Sequence, residues 1–222
     1  MLVGAMGSRV TPTRLLWRKP DAYFDGSTIG ASEQYFSRAF DPTRCGIVPA
    51  EMSACLVLER RRHAVGRNAK IYGQVRGVGN RCGRPETECG GSSKSIASAA
   101  SAAMTVAGIE SDDLAFVSAQ GFSHRQLDSL EANAIAQVAG EVPVTAFSSY
   151  FGTGGGATGL AQLTAALLAM QSGKVLPILG NNSDDSNCPI NVCRTPSETQ
   201  KSCFLQLSYT FEGQAAAVVV QC

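Results

Sequence analysis

Histidine is almost missing from this sequence: 222 residues carry two, His63 and His124, so a histidine-rich metal centre has little to be built from. Charge is sparse as well. Only 17% of residues are charged, and 19 basic against 18 acidic side chains leave a net charge of +1. There is thus no global field to gather nucleic acid or an anionic membrane. Long apolar runs are absent too; Leu163 to Met170 falls far short of the roughly 20 residues a membrane span needs. The N-terminus lacks the basic-then-apolar order of a signal peptide. A cytoplasmic protein is expected. Eight cysteines are present, but no two have the spacing of a zinc knuckle or a redox dithiol. They read as free thiols, with Cys55 and Cys203 inside apolar runs as small hydrophobes. No metal and no cofactor is expected. No low-complexity tract and no period of 20–50 residues occurs.

What is present argues for a folded chain. The hydrophobic fraction is 44%, far from the composition of disorder, and the length suits one large domain or two small ones. Met1 to Met6 reads as a strand, 11–41 as an irregular excursion, and Ala54 to Leu58 as a buried strand. Arg60 to Val65 is a helical turn, and Lys70 to Val78 a period-two strand. Ser92 to Ala107 has Ile96, Ala100, Ala103 and Ala107 at helical spacing before Gly108, predicting a helix with a small-residue face and a glycine C-cap. Strand Leu114 to Ser118, helix Ser129 to Ala139, strand Val142 to Phe147, a glycine turn and helix Ala157 to Gln171 then alternate, the pattern of a layered α/β sheet. Phe204 to Tyr209 and Ala215 to Gln221 flank Glu212-Gly213 as a closing hairpin.

Three stretches carry chemical signals. In the first, 40–59, Asp41, Arg44 and Glu51 are charges set among apolar and small residues, which reads as an internal salt-bridge brace for a loop. In the second, 118–131, Gly121 follows a strand, and Asp128 and Glu131 lie three apart in an opening helix, on one face near its positive end, a placement that simple capping could explain. In the third, Gly154, Gly156 and Gly159 fit the spacing G-x-G-x-x-G, where bare backbone approaches a pyrophosphate. The acidic residue expected about 20 positions on is missing. A nucleotide-binding module through Gly154–Gly159 is therefore the weaker reading.

These residues also carry a resemblance. The run FDPTRCGIVPAE (40–51), ACLVLE (54–59) and HAVGRNAKIY (63–72) resembles the stretch FD-x-x-R-x-G-F-V-x-G-E, L-V-L-E, H-A-x-x-R-G-A-x-I-Y of β-ketoacyl-[acyl-carrier-protein] synthases. Gly121, Asp128 and Glu131 are similar in spacing to that family's H-G-T…D-x-x-E motif. Met1 to Ala5 resembles the strand before the first block, and SYTFEGQAA (208–216) the strand turn S-F-G-F-G-G-T-N, with Phe211 at the gatekeeper phenylalanine. The resemblance implies an α/β, thiolase-like layered fold. Its C-terminal βαβαββ half would be nearly complete (92–222), and the last strands of the N-terminal half would form a remnant with its surface excursion (1–91).

The resemblance also implies what is substituted. The family's decarboxylative condensation uses a cysteine nucleophile and two histidines that polarise a thioester carbonyl, and the nucleophile loop would lie upstream of Met1. The first histidine position falls on Gln120, whose amide donates hydrogen bonds but relays no proton. In the block S-T-K-S-x-T-G-H, the lysine falls near Tyr150 and the histidine near Gly155, with the glycine run leaving the register open by a residue or two. The expectation is a synthase-like protein of fatty acid or polyketide synthesis that does not catalyse condensation, comparable to a chain-length factor. A second possibility is an altered acyl-thioester transferase using Gln120, Ser149, Tyr150 and His124. Partners implied are an acyl carrier protein or acyl thioester, the carrier docking on Arg60, Arg61, Arg62, Arg67 and Lys70, or else a solvated basic face. A homo- or hetero-oligomer with a synthase-like chain is expected. Nucleic acid and membrane are not.

Overall fold

The computed structural model describes residues 1–11 and 37–222. The irregular stretch expected over 11–41 therefore lies mostly outside the described residues. Strands β1 (Leu2–Ser8) and β2 (Glu51–Val57) form an antiparallel ribbon, Leu2 opposite Val57 and Ser8 opposite Glu51. A short helix α1 (Arg61–Gly66) leads to β3 (Gln74–Cys82). Helix α2 (Ser93–Ala107), β4 (Leu114–Ser118), α3 (Arg125–Ala139), β5 (Val144–Thr145), the single turn α4 (Ser148–Phe151) and α5 (Thr158–Gln171) follow. The minor strands β6 (Lys174–Val175) and β7 (Ser197–Glu198) precede the hairpin β8 (Cys203–Tyr209) and β9 (Gln214–Gln221).

Five strands make the central sheet in the order β3-β9-β8-β4-β5. β4 runs parallel to β5 and β8, and β9 runs antiparallel to both of its neighbours. Parallel strands covered on both faces read as continuous apolar runs, which is why LAFVS is buried at every position. Ile96, Ala103, Leu127, Ile135, Leu207 and Val219 fill the layer under α2 and α3, while Phe116, Phe204, Leu167 and Met170 fill the layer under α5.

The small-residue face of α2 lies on β3 at glycines. A Cβ on Gly77 would sit 2.0 Å from the carbonyl oxygen of Ala103, and one on Gly79 2.0 Å from that of Ala99. The helix starts at Ser92, whose hydroxyl accepts from the Ser95 amide at 3.2 Å, and ends at Gly108 with φ +68.

Several boundaries differ from expectation. β3 starts four residues later than the alternation over 70–78 suggests, and its pairing with β9 sets it in the same sheet as β8 and β4. A division at 91/92 would therefore cut this sheet. Helix α3 begins at Arg125 rather than Ser129, so Asp128 as well as Glu131 lies within it, both buried. The expected strand 142–147 is two residues long, since the chain turns into α4 at Ser148. Cys203 is buried as expected, but Cys55 is exposed on β2. Among the described residues no helix is long and apolar enough to cross a membrane.

Candidate functional site

Strand β4 ends at Ser118, and the loop that follows is held from below by one carboxylate. Glu131, fully buried on α3, accepts the amide of Gln120 at 2.7 Å and that of Gly121 at 3.0 Å. Asp128, one turn earlier and equally buried, accepts the Phe40 amide at 2.9 Å. Each reaches out to position a loop. Gly121 has φ +55, and a Cβ there would lie 2.6 Å from the Cβ of Ala146.

The Gln120 side chain is buried, and its Oε1 accepts from the Ser208 hydroxyl at 3.1 Å. Its backbone carbonyl accepts from Gln162 Nε2 on α5 at 3.0 Å. The Gly121 carbonyl accepts from the buried Ser148 hydroxyl at 2.6 Å. Beside Ser208 opens a cleft of about 490 Å³ lined by Asn80, Cys82, Thr210, Gln214 and Ala216.

A second, charged layer lies behind the loop. Arg44 is 2% exposed and faces Asp128 at 3.7 Å, with an ion pair to Asp185 on the other side. It also donates to the Asp41 carbonyl at 2.8 Å, the Arg125 carbonyl at 3.0 Å and the Ser129 hydroxyl at 2.9 Å. The Asp41 carboxylate instead accepts from Thr43 and, at 2.8 Å, from the Asn182 amide. The expected brace thus exists with other partners. Glu51 does not belong to it, being exposed at the start of β2 and taking the Ser8 hydroxyl.

Burial decides the titration of the two innermost carboxyls. Desolvation pushes Asp128 up to about 6 although Arg44 and the Phe40 amide pull it down. It pushes Glu131 up to about 8, with the Asp128 charge adding and the two loop amides opposing. For Asp41, burial raises the pKa, but the hydrogen bonds from Thr43 and Asn182 hold the carboxyl below its ordinary value. Glu131 has an ordinary value of 4.5 and a higher one in the fold. The folded state therefore keeps a proton that the unfolded chain releases. Its contribution to stability is full below about pH 4.5 and is lost as pH rises through about 8. Unfolding by urea should accordingly show stability falling between about pH 5 and about pH 8.5. Glu131→Gln, which cannot titrate, should flatten that slope while lowering stability throughout, because its NH2 cannot accept a loop amide.

The remaining expected residues fall in different places. Tyr150 is 42% exposed and donates to the Pro177 carbonyl at 2.8 Å; Ser149 donates to the Ala146 carbonyl at 2.7 Å and accepts the Leu179 amide at 3.1 Å. Tyr150 thus holds Pro177, and Ser149 bridges Ala146 to Leu179. Gly155, with φ +71, lies against Arg9, where a Cβ would be 3.2 Å from Nε. His124 is a buried residue at the N-cap of α3, its carbonyl accepting the Asp128 amide at 2.9 Å. Phe211 packs on Phe122 with centroids 5.3 Å apart, and the Arg9 guanidinium lies 5.9 Å from its ring centre.

The side chain that the turn sends toward the loop is Ser148. Matching the S and G of the block S-T-K-S-x-T-G-H to Ser149 and Gly152 puts its lysine at Ser148 and its histidine at Thr153, a buried residue whose backbone bonds to Val48 and Ala50. Gln162 and Ser208 carried little signal: one of two glutamines in an apolar helix, and a serine near the end of a strand.

The glycines at 154–159 have packing reasons. A Cβ on Gly154 would meet Met52 at 2.5 Å, one on Gly159 would meet Ser208 Oγ at 3.0 Å, and Gly7 passes the Gly154 carbonyl so closely that its own Cβ would overlap it. Protein, not a pyrophosphate, occupies the space beside Gly154 and Gly159.

Comparison with known proteins agrees with this architecture. Residues 72–182 match the family described as beta-ketoacyl synthase, C-terminal domain. The ketoacyl synthase alpha subunit of the tetracenomycin polyketide synthase from Streptomyces glaucescens is 33% identical over 192 residues, 83% of this chain and 45% of that one. The solved ishigamide ketosynthase/chain length factor superposes with a TM-score of 0.85 at 26% identity over 99% of this chain and 53% of its own. A type II PKS acyl-carrier protein in complex with its ketosynthase gives 0.90 at 24% identity, over 100% of this chain and 56% of the matched one, a likeness of fold alone. The chain belongs to the beta-ketoacyl synthase family and has the thiolase-like ketosynthase fold. It spans about half the length of the curated relatives it matches.

Proposed function

We propose that this is a ketosynthase-like chain of polyketide or fatty acid synthesis that does not itself carry out the condensation and works beside a synthase-like partner, as a chain-length factor does. The carrying observation is Gln120. At the position the family resemblance gives to a histidine stands a neutral amide, buried and already engaged by Ser208. A carboxamide neither gains nor loses a proton near neutral pH. In either register of the following block, the lysine and histidine positions hold Ser148 or Tyr150 and Thr153 or Gly155. The two-part organisation goes with this reading, with the C-terminal unit beginning near Gln74.

The ribbon supports a partner. Leu2, Met6 and Val57 are exposed on β1 and β2, and uncovered apolar strands favour association. A structural relative is described as a ketosynthase/chain length factor and another as a ketosynthase with its acyl-carrier protein. Arg60, Arg61 and Arg62 are exposed and suit an acidic carrier, whereas Arg67 is paired with Glu59. The acyl-transfer alternative loses support because the Tyr150 hydroxyl donates to the Pro177 carbonyl and the Ser149 hydroxyl to the Ala146 carbonyl.

The test incubates the purified chain with malonyl-loaded carrier protein, alone and with an active ketosynthase of the same system. Alone it should release no carbon dioxide above background. Mixed, it should co-elute with the synthase and shift product length. Decarboxylation by the chain alone that is abolished by Gln120→Ala would overturn the proposal.

A further inference from the structure

Three buried oxygens lie side by side in the sheet without a hydrogen-bond partner among the described residues: Ser118 Oγ, Thr145 Oγ1 and Gln206 Oε1. They are neighbours by register. Ser118 pairs with Thr145 across β4 and β5, and with Gln206 across β4 and β8, so the three side chains share one face of the sheet. That face lies under α5, because Gln206 Nε2 donates to Gln162 Oε1 at 3.2 Å. Ser118 and Thr145 are fully buried and Gln206 is 4% exposed.

One strand repeat down the same face, Phe116 and Phe204 stack with centroids 5.2 Å apart, and the core there is apolar. The polar row replaces that packing with groups that need partners. A buried hydroxyl or amide oxygen without one is costly, and three in a row is not how interiors are built. Registered neighbours on adjacent strands are about 4.8 Å apart. That separation suits one water making two ordinary hydrogen bonds of about 2.8 Å, and such a site needs two to four polar partners. We infer that the row Thr145, Ser118, Gln206 is an internal hydration site, in which ordered water bridges the three oxygens under α5. The consequence reaches Gln120. Gln206 donates to Gln162, and Gln162 donates to the Gln120 carbonyl, so the water holds one end of a chain that positions that loop.

A crystal structure at about 1.5 Å or better should show water density within hydrogen-bond distance of at least two of the three oxygens. Thr145→Val and Ser118→Ala should each lower the melting temperature by about 3 °C, because each strands a water or its remaining partners. A stranded hydroxyl with no water predicts the opposite sign for Thr145→Val, since the isosteric methyl relieves an unmet hydrogen bond. A rise in melting temperature for that variant, or a dry row at that resolution, overturns the inference. The density reads the unsubstituted protein and so does not depend on either variant folding.

Discussion

Arg44→Met should cost about 3–5 kcal/mol of folding stability, the range for removing one partner of a buried ion pair, read as a lower urea midpoint with an unchanged slope. Arg44 is nearly inaccessible: its two terminal nitrogens donate to Asp185, the Asp41 and Arg125 carbonyls and Ser129, while its Nε faces the Asp128 carboxylate at 3.7 Å. Methionine fills much of the volume but satisfies none of these groups. Asp128 then stands alone in the interior, with Oδ1 already lacking a partner among the described residues. Its pKa, about 6 with the guanidinium present, should rise further, and the loop that it holds through the Phe40 amide should loosen. The double variant Arg44→Met, Asp128→Asn should lose less than the sum of the two single changes, because the uncompensated charge is gone. Additive losses, or a single-variant loss under about 1 kcal/mol, would show that these groups do not act as a unit.

Gly79→Ala should be as damaging, although it adds one methyl group. The new Cβ would stand 2.0 Å from the Ala99 carbonyl oxygen, with the Ala99 carbon and the Ala103 nitrogen also within 3.0 Å. All three atoms are helix backbone, so no rotamer change relieves them, and α2 must back off from the sheet along its small-residue face. That lifts Ile96, Ala100 and Ala103 from the layer they share with Leu207 and Val219. A loss of about 3 kcal/mol or more is expected, seen as unfolding at much lower urea or as insoluble protein on expression. Gly77→Ala should behave alike. Gly66→Ala is the control: no atom lies within 4 Å of its Cβ, and alanine in a helix is neutral or slightly stabilising.

Local periodicity made much of the fold legible. The alanine spacing in 92–107, the left-handed Gly108, the apolar LAFVS and the hairpin around Gly213 stand where the pattern put them, since each is decided by neighbours within a turn or a strand. Glu51 and Cys55 show what one more step would have added. In β2 the positions 51, 53, 55 and 57 are the exposed ones, so a charged residue at one end of a period-two strand sends the cysteine four positions on to the same outer side. The site was legible as to its loop and carboxylates, but not as to what they touch. Glu131 holds Gln120 from 11 positions away, whereas Ser208 reaches the same residue from 88 positions away. No spacing rule spans the latter distance. The glycine run hid the register of 148–155 for a related reason, because glycines fit several alignments equally well; the hydrogen bond from Ser148 to the Gly121 carbonyl is what singles out Ser148 in the fold.

The sheet order has a consequence for how the chain reaches this state. β9 follows every other strand in the chain, yet it lies between β3 and β8. Until it arrives, β3 has no hydrogen-bonded neighbour in the sheet and α2 has only part of the surface it packs on. The closing hairpin therefore works as a wedge inserted late, and its pairing with β3 spans well over a hundred residues. Contacts this far apart slow the search for the native sheet and leave β3, with its glycines, as an open edge while synthesis continues.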